Sequence, residues 1–150
     1  MTDHERALCT ATARLLQSAG VIAAWGLGLS LVALGVLALT GRSLSMLSCM
    51  GFGAVAIIGV FERYMALRLR LDVGLFDGLA SGAIPSLSTL DVALQKLGLR
   101  PAPDTPDTPG APRALADRVQ GARQLMQRHG IAVACQSAMF LLALLTQDMR

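Results

Sequence analysis

Charged and aromatic residues are scarce in this chain, and their scarcity excludes an ordinary soluble domain. Only 15% of the 150 residues are charged and 4% are aromatic, whereas 53% are hydrophobic. Leu, Ala, Val and Gly supply the excess, and they form long runs instead of the spaced apolar positions of half-buried strands and surface helices. A composition of this kind is typical of a membrane protein.

Three runs lack Asp, Glu, Lys, Arg and His altogether, and we interpret each as a transmembrane helix. They cover 20–40, 44–61 and 130–146. At about 1.5 Å per residue, such runs cross a hydrocarbon core of roughly 30 Å. A cleaved signal peptide is the alternative for the first run, but the run is longer than a typical signal core and no Ala-x-Ala site closes it. Gly41 and Ser43 predict a left-handed glycine and a helix N-cap, so the first two spans should form a tight hairpin.

The remaining segments complete an all-α membrane protein with three transmembrane helices and amphipathic cytoplasmic helices. Residues 62–80 combine strand-like alternation with a helical face, and we prefer a helix, because a lone strand would leave its backbone groups without partners. Ser88 and Asp91 predict the capped start of a short helix that ends near Gly98. The predicted segments are an interfacial helix (1–19), a transmembrane hairpin (20–61), a cytoplasmic helical segment (62–100), a proline-rich linker (101–112), a cytoplasmic amphipathic helix (113–129), a third span (130–146) and a tail (147–150).

The linker 101–112 holds five of the six prolines and a doubled Asp-Thr-Pro unit. Proline lacks a backbone donor and interrupts helices, so this stretch predicts an extended, mobile connection. A docking motif for a proline-reading partner is the alternative interpretation.

Basic residues near the spans are distributed unequally, which predicts the orientation. The side that holds Arg42 and Arg150 has no other basic residue close to a span. The opposite side carries nine: Arg6, Arg14, Arg63, Arg68, Arg70, Arg113, Arg118, Arg123 and Arg128. We therefore expect the N-terminus and the central segment in the cytoplasm, and the C-terminus in the periplasm. Membrane electrostatics accounts for the net charge of +3 without a nucleic-acid partner.

Catalytic and cofactor-binding motifs are lacking, so we expect no enzyme activity, no cofactor and no metal. Cys9, Cys49 and Cys135 are far apart and form no C-x-x-C pair, and His4 and His129 have no second ligand at metal spacing. No phosphate-binding loop, G-x-S-x-G or H-E-x-x-H occurs.

Charged residues cluster directly after the second run, at its expected cytoplasmic end. The cluster comprises Glu62, Arg63, Tyr64, Arg68, Arg70, Asp72 and Asp77. These residues are candidates for binding an anionic headgroup or an acidic partner. The alternative is an interface in which long side chains reach the headgroup level and form local ion pairs.

Small residues recur at four-residue spacing in all three runs, which allows close approach of helix backbones. The three sets are Gly20, Ala24 and Gly28, then Ser45, Cys49 and Gly53, and then Gly130, Ala134 and Ala138. Gln136 is the one amide side chain within the runs. We interpret it as an interhelical hydrogen-bonding group, and a substrate contact is the alternative.

Three stretches carry a resemblance to known proteins: FERYMALRLRLDVGLFDGLA, TLDVALQKLGL and, after the proline-rich gap, RALADRVQGARQLMQRHG before the last run. This pattern resembles small proteobacterial inner-membrane proteins that have no assigned activity. The resemblance covers roughly residues 60–146. It implies a bacterial inner membrane and transfers no functional residue.

We therefore expect a non-enzymatic accessory or scaffold protein of the bacterial inner membrane. Its small-residue faces would bind a second copy or other membrane-protein helices, and its cytoplasmic segment would bind lipid headgroups or a soluble partner. A small oligomeric channel, holin-like or transporter-like protein is one alternative. A membrane-interface enzyme acting on lipid headgroups is another, with Glu62, Tyr64, Asp72 or Asp77 as acid or base.

Overall fold

The described part of the chain is entirely helical. The computed structural model describes residues 1–98 and 114–147. Four helices follow one another: α1 (Asp3–Thr40), α2 (Met46–Ser81), α3 (Leu87–Lys96) and α4 (Leu115–Leu145). No strand occurs within those two ranges, which confirms the all-α class and places 62–80 in a helix. The predicted linker 101–112 lies outside the described residues.

Three of the helices, α1, α2 and α4, are long and apolar enough to cross a membrane, as the sequence predicted. They contain 38, 36 and 31 residues. About 20 residues suffice to cross a hydrocarbon core, so each helix continues beyond it at one end. The segment predicted as a separate interfacial helix at 1–19 is continuous with the first span from Asp3 onward, because no proline interrupts the backbone hydrogen bonding between them. Residues 115–129 lead into the third span without a break, as the sequence predicted.

The hairpin between α1 and α2 differs from its prediction in both of its local features. Gly41 is right-handed, with φ −52°, and its N–H donates to the carbonyl oxygen of Leu37, so the chain leaves α1 through an ordinary helical turn. Ser45, and not Ser43, caps α2, and its Oγ accepts the N–H of Ser48 at 3.2 Å. α2 therefore begins two residues later than expected.

The start of α3 also differs from its prediction. Ser86 is the N-cap, and its Oγ accepts the N–H of Thr89 at 3.1 Å. Ser88 lies inside the helix, and Asp91 forms an ion pair with Arg118 of α4. The carboxylate therefore joins two helices and does not cap its own.

Two apolar cores lie along the bundle, separated by polar side chains. One core joins α3 to the N-terminal halves of α1 and α4 and the C-terminal half of α2; its buried members are Cys9, Ala13, Leu16, Ala19, Leu69, Phe76, Leu79, Leu90, Leu115 and Ala122. The other lies within the three charge-free runs and contains Leu29, Ala33, Phe52, Val55 and Ala143. The rings of Phe52 and Phe140 meet edge to face with centroids 5.7 Å apart, which fixes α2 against α4.

Candidate functional site

A carboxylate and an imidazole meet in the interior of the bundle, between the two apolar cores. Glu62 of α2 and His129 of α4 are both fully buried. His129 Nε2 lies 2.7 Å from Glu62 Oε1, although the residues are 67 positions apart in the chain. The sequence placed both at the membrane boundary and did not pair them. Ionisable groups buried in a membrane bundle are costly, and they mark candidate functional sites.

Arg63 completes the charge balance of this pair and adds a contact to α1. Its Nε lies 2.7 Å from Glu62 Oε2, and its Nη2 lies 2.8 Å from Glu62 Oε1. The same Nη2 also donates to the carbonyl oxygen of Ala23. Glu62 thus accepts hydrogen bonds from α2 and α4, while Arg63 binds α1, so one ion pair connects all three long helices.

The charges in this cluster determine which of the two imidazole nitrogens of His129 carries the hydrogen. Arg63 already neutralises the Glu62 carboxylate, and a second cation in this buried position would be uncompensated. We therefore assign His129 as a neutral ring whose Nε2 hydrogen is donated to Glu62. His129 Nδ1 is then an acceptor, and it has no hydrogen-bond partner among residues 1–98 and 114–147.

Gln136 continues the polar layer two turns further along α4. Its side chain is fully buried, and Nε2 donates to Ser30 Oγ at 2.8 Å and to the carbonyl oxygens of Gly26 and Val55 at 3.1 and 3.3 Å. These contacts connect α4 to both α1 and α2. In the part of the chain that the structure describes, Gln136 Oε1 has no partner.

Two glycines make room for this layer. A Cβ added to Gly26 would lie 3.0 Å from Glu62 Cδ and 3.2 Å from Gln136 Oε1, and one added to Gly59 would lie 2.0 Å from Ser30 Oγ. Neither glycine belongs to the small-residue sets selected from the sequence. Their signal was the Gly26-x-x-x-Ser30 spacing and the position of Gly59 one turn before a carboxylate.

A second polar layer lies at the far end of the bundle, near the hairpin. Ser48 Oγ lies 2.9 Å from Ser45 Oγ and 3.2 Å from Thr146 Oγ1, so it joins α2 to the end of α4. Phe52 and Val55, both fully buried, separate this layer from Gln136. The described side chains therefore form two polar layers with an apolar barrier between them.

The small residues selected from the sequence mostly face away from the bundle. Within α1, Gly20, Ala24 and Gly28 are exposed; Ala24 and Gly28 face away from its buried side, whereas Gly20 lies at the edge of that side. The other selected residues are Cys49, Ala134 and Ala138, which are exposed, and Ser45, Gly53 and Gly130, which are partly buried. Close packing inside the chain uses different glycines: a Cβ on Gly51 would lie 2.8 Å from Ala143 Cβ.

No protein-family model, curated protein or solved structure matches this chain. The contacts and burial of its own side chains therefore define its candidate site.

The charged residues selected from the sequence differ in burial. Glu62 is buried, Arg63 and Asp72 are partly buried, and Tyr64, Arg68, Arg70 and Asp77 are exposed. The four acid or base candidates among them thus belong to different surroundings.

A groove of about 640 Å³ lies between α2, α3 and α4. Leucines and Phe76 form much of its floor, and its rim carries both signs of charge: Arg68, Asp72, Asp91, Asp117, Arg118 and Arg128. Burial raises the pKa of Asp72, and the nearby Arg68 guanidinium opposes this effect. An apolar floor with a charged rim suits an amphipathic ligand.

Proposed function

We propose that this chain is a non-enzymatic accessory protein of the bacterial inner membrane, and that it associates with a second copy through one face of α1. The observation that carries the proposal is the exposure of Ala24 and Gly28 on the side of α1 that points away from the bundle, with the exposed Gly20 at the edge of the same surface. No atom lies within 4 Å of a Cβ added at Gly20 or Gly28, so this surface remains open after the three helices have packed. Close backbone packing of such faces associates helices in lipid.

The interior polar groups support a structural role. Glu62, Arg63 and His129 satisfy one another across the three helices, and Gln136 binds both neighbouring helices. These contacts favour one fixed bundle. A channel or transporter needs a continuous polar route, and the buried Phe52 interrupts the described polar layers.

The proposed orientation places the N-terminus and the central segment in the cytoplasm and the C-terminus in the periplasm. The excess of arginine on one side of the spans supports it. Alkaline phosphatase fused after Arg150 should be active, and the same enzyme fused after Gly98 should be inactive. The opposite pattern of activities would contradict this orientation.

The cytoplasmic role that we propose is binding of a lipid headgroup or a soluble partner in the groove between α2, α3 and α4. Arg68 and Arg128 on the groove rim support an anionic group, because guanidinium groups bind phosphates and carboxylates in a planar, two-pronged geometry. The apolar floor suits the hydrocarbon part of the same molecule.

Self-association is tested in vesicles with two separately labelled populations of the full chain, by energy transfer at increasing lipid dilution. Gly28→Leu places a large side chain on the proposed interface and should weaken association about tenfold, equivalent to about 1.4 kcal/mol. Ala138→Leu is the matched control, because it enlarges an exposed small residue on α4. Equal effects of both variants, or a wild-type chain that stays monomeric at every dilution, would contradict the proposal.

A further inference from the structure

A second cleft opens between α1 and α2, beside the Glu62 and His129 pair. Its volume is about 340 Å³, which lies within the range of small-molecule sites. Small side chains create the space: Ala19, Gly20, Ala23 and Ala66 line it. His129 of α4 also contributes to the lining.

The polar groups around the cleft differ in their surroundings. Gln17 and Arg70 are exposed, whereas His129 is fully buried. The Nε2 of His129 is held by Glu62, and Nδ1 has no partner among the described residues. A buried acceptor without a donor costs free energy, because it has lost its hydrogen bonds to water. His129 lines the cleft, so a donor group bound in the cleft would satisfy this acceptor.

We propose that this cleft binds a lipid-soluble phenol or alcohol, whose hydroxyl group donates a hydrogen bond to His129 Nδ1. The apolar body of the ligand would lie against Ala19, Ala23 and Ala66. Gly20 lies at the first residue of the charge-free run, and it is exposed, so a molecule dissolved in the bilayer reaches the cleft from the headgroup level.

The charge of the site selects this ligand class over others. Next to His129, Glu62 and Arg63 balance each other and the imidazole is neutral, so a charged group of a ligand would find no partner there; the Arg70 guanidinium, which also lines the cleft, is exposed to solvent. A quinone or an ester presents only acceptors, which cannot satisfy an acceptor nitrogen. A hydroxyl group supplies the missing donor, and moving it from water into a partly apolar cleft costs less free energy than moving a charged group.

The direct test uses the full chain in phosphatidylcholine bilayers with two probes, 2-naphthol and 2-methoxynaphthalene, which share a ring system and differ in the donor. The chain contains two histidines, so His4→Gln leaves a single imidazole for nitrogen NMR of histidine-labelled protein. We expect 2-naphthol to shift the Nδ1 resonance and to bind about fivefold or more tightly than the methoxy compound. Equal partitioning of both probes with an unmoved Nδ1 resonance would mean that water or lipid chains alone occupy the cleft, and would overturn the proposal.

A pair of variants separates this cleft from the self-association face. Gly20→Leu adds a side chain at the cleft, where no atom lies within 4 Å of the new Cβ, and should weaken 2-naphthol binding about tenfold. Gly28 lies about two turns away on α1 and outside the cleft. The Gly28→Leu chain should therefore bind 2-naphthol as the wild type does, while its self-association is weakened. Loss of 2-naphthol binding in both variants would overturn the cleft assignment.

A third variant tests the acceptor itself. His129→Phe keeps a ring and removes Nδ1, so it should bind both probes equally. Retention of the preference for 2-naphthol by a folded His129→Phe chain would overturn the role of Nδ1. Should His129→Phe not fold, the comparison of Gly20→Leu with Gly28→Leu still decides the proposal.

Discussion

Glu62 is the residue on which the polar layer depends, because it is the one acceptor shared by Arg63 and His129. A buried carboxylate is tolerated only when its charge is paired and its oxygens are hydrogen-bonded. Both oxygens of Glu62 have partners, at 2.7 and 2.8 Å to Arg63 and at 2.7 Å to His129. Removing the carboxylate leaves a guanidinium and an imidazole without their acceptor.

We predict that Glu62→Leu lowers the free energy of unfolding by about 3 to 5 kcal/mol. The combined variant Glu62→Leu/His129→Leu should lose less than the two single variants together, because it leaves no buried imidazole without a partner. Asp77→Leu, an exposed acid on the same helix, is the control and should have little effect. Denaturation in mixed micelles gives all four values, and similar losses for Glu62→Leu and Asp77→Leu would contradict the prediction.

Two glycines of α2 provide a matched test of helix packing. A Cβ on Gly51 would lie 2.8 Å from Ala143 Cβ and 3.3 Å from Ala143 Cα, whereas no atom lies within 4 Å of a Cβ on Gly53. Gly51→Ala should therefore lower the free energy of unfolding by about 1 to 3 kcal/mol through overpacking. Gly53→Ala should be neutral or slightly stabilising, since alanine favours helix. A stability loss at Gly53 equal to that at Gly51 would show that α4 does not lie where we place it.

The charge-free runs can be read from the sequence, but the side-chain contacts between the helices cannot. His129 has no ligand at metal spacing in the sequence, and its hydrogen-bond partner Glu62 is 67 positions away in the chain. Gly26 and Gly59 were missed because four-residue spacing selects several helix faces equally. Only the packing of α1, α2 and α4 distinguishes the inward face from the outward one.

At the scale of elements, the sequence located helices well and their ends poorly. The pattern changes from amphipathic to apolar at residue 20, and the backbone of α1 continues through this point without interruption. Several neighbouring serines could each cap the start of a helix. Which serine is the N-cap depends on backbone geometry that composition does not encode. Ser45 and Ser86 are the caps in the structure, where Ser43 and Ser88 were expected.

The N-terminal half of α1 packs on α2, and Cys9 reports that packing. Its side chain is fully buried, and burial raises the pKa of the Cys9 thiol. In a chain with Cys49→Ala and Cys135→Ala, a maleimide should modify Cys9 about tenfold more slowly than a cysteine introduced by Thr10→Cys with Cys9→Ala. Thr10 is the neighbouring exposed position. Equal rates would indicate that this half of α1 lies on the membrane surface without contacting α2.

Asp72 makes the stability of the C-terminal half of α2 depend on pH. Burial raises its pKa, so the folded state favours the neutral acid. The stabilising contribution is therefore complete below the ordinary aspartate pKa of about 4, and it is lost as the pH rises through the raised value. Asp72→Asn should flatten the dependence of unfolding free energy on pH above about 4, whereas Asp77→Asn should retain it. An unchanged profile in Asp72→Asn would contradict this assignment.

The whole molecule is a stack of two apolar cores and two polar layers, built by three helices that each exceed the thickness of a membrane core. Composition predicted three helices long and apolar enough to cross a membrane, and the structure has them, because charge-free runs of this length favour a single uninterrupted helix. The order of the layers was beyond prediction, since it depends on the rotation of each helix about its axis. That rotation also decides that the small face of α1 points outward.

The arrangement of the spans is tested most directly by a cysteine pair at the far end of the bundle. Ser48 Oγ lies 3.2 Å from Thr146 Oγ1, so sulfur atoms at both positions would be close enough to bond. With Cys9, Cys49 and Cys135 replaced by alanine, Ser48→Cys/Thr146→Cys should oxidise to an intramolecular disulfide in sedimented membranes. The native Cys49, one position along and exposed, should not bond to Thr146→Cys when it is the remaining cysteine of α2.

Mass spectrometry of the membrane fraction measures this bond. Our account predicts a disulfide in the Ser48 and Thr146 pair and free thiols in the Cys49 and Thr146 pair. Equal bonding of both pairs, or a protein that remains in the supernatant without detergent, would contradict it.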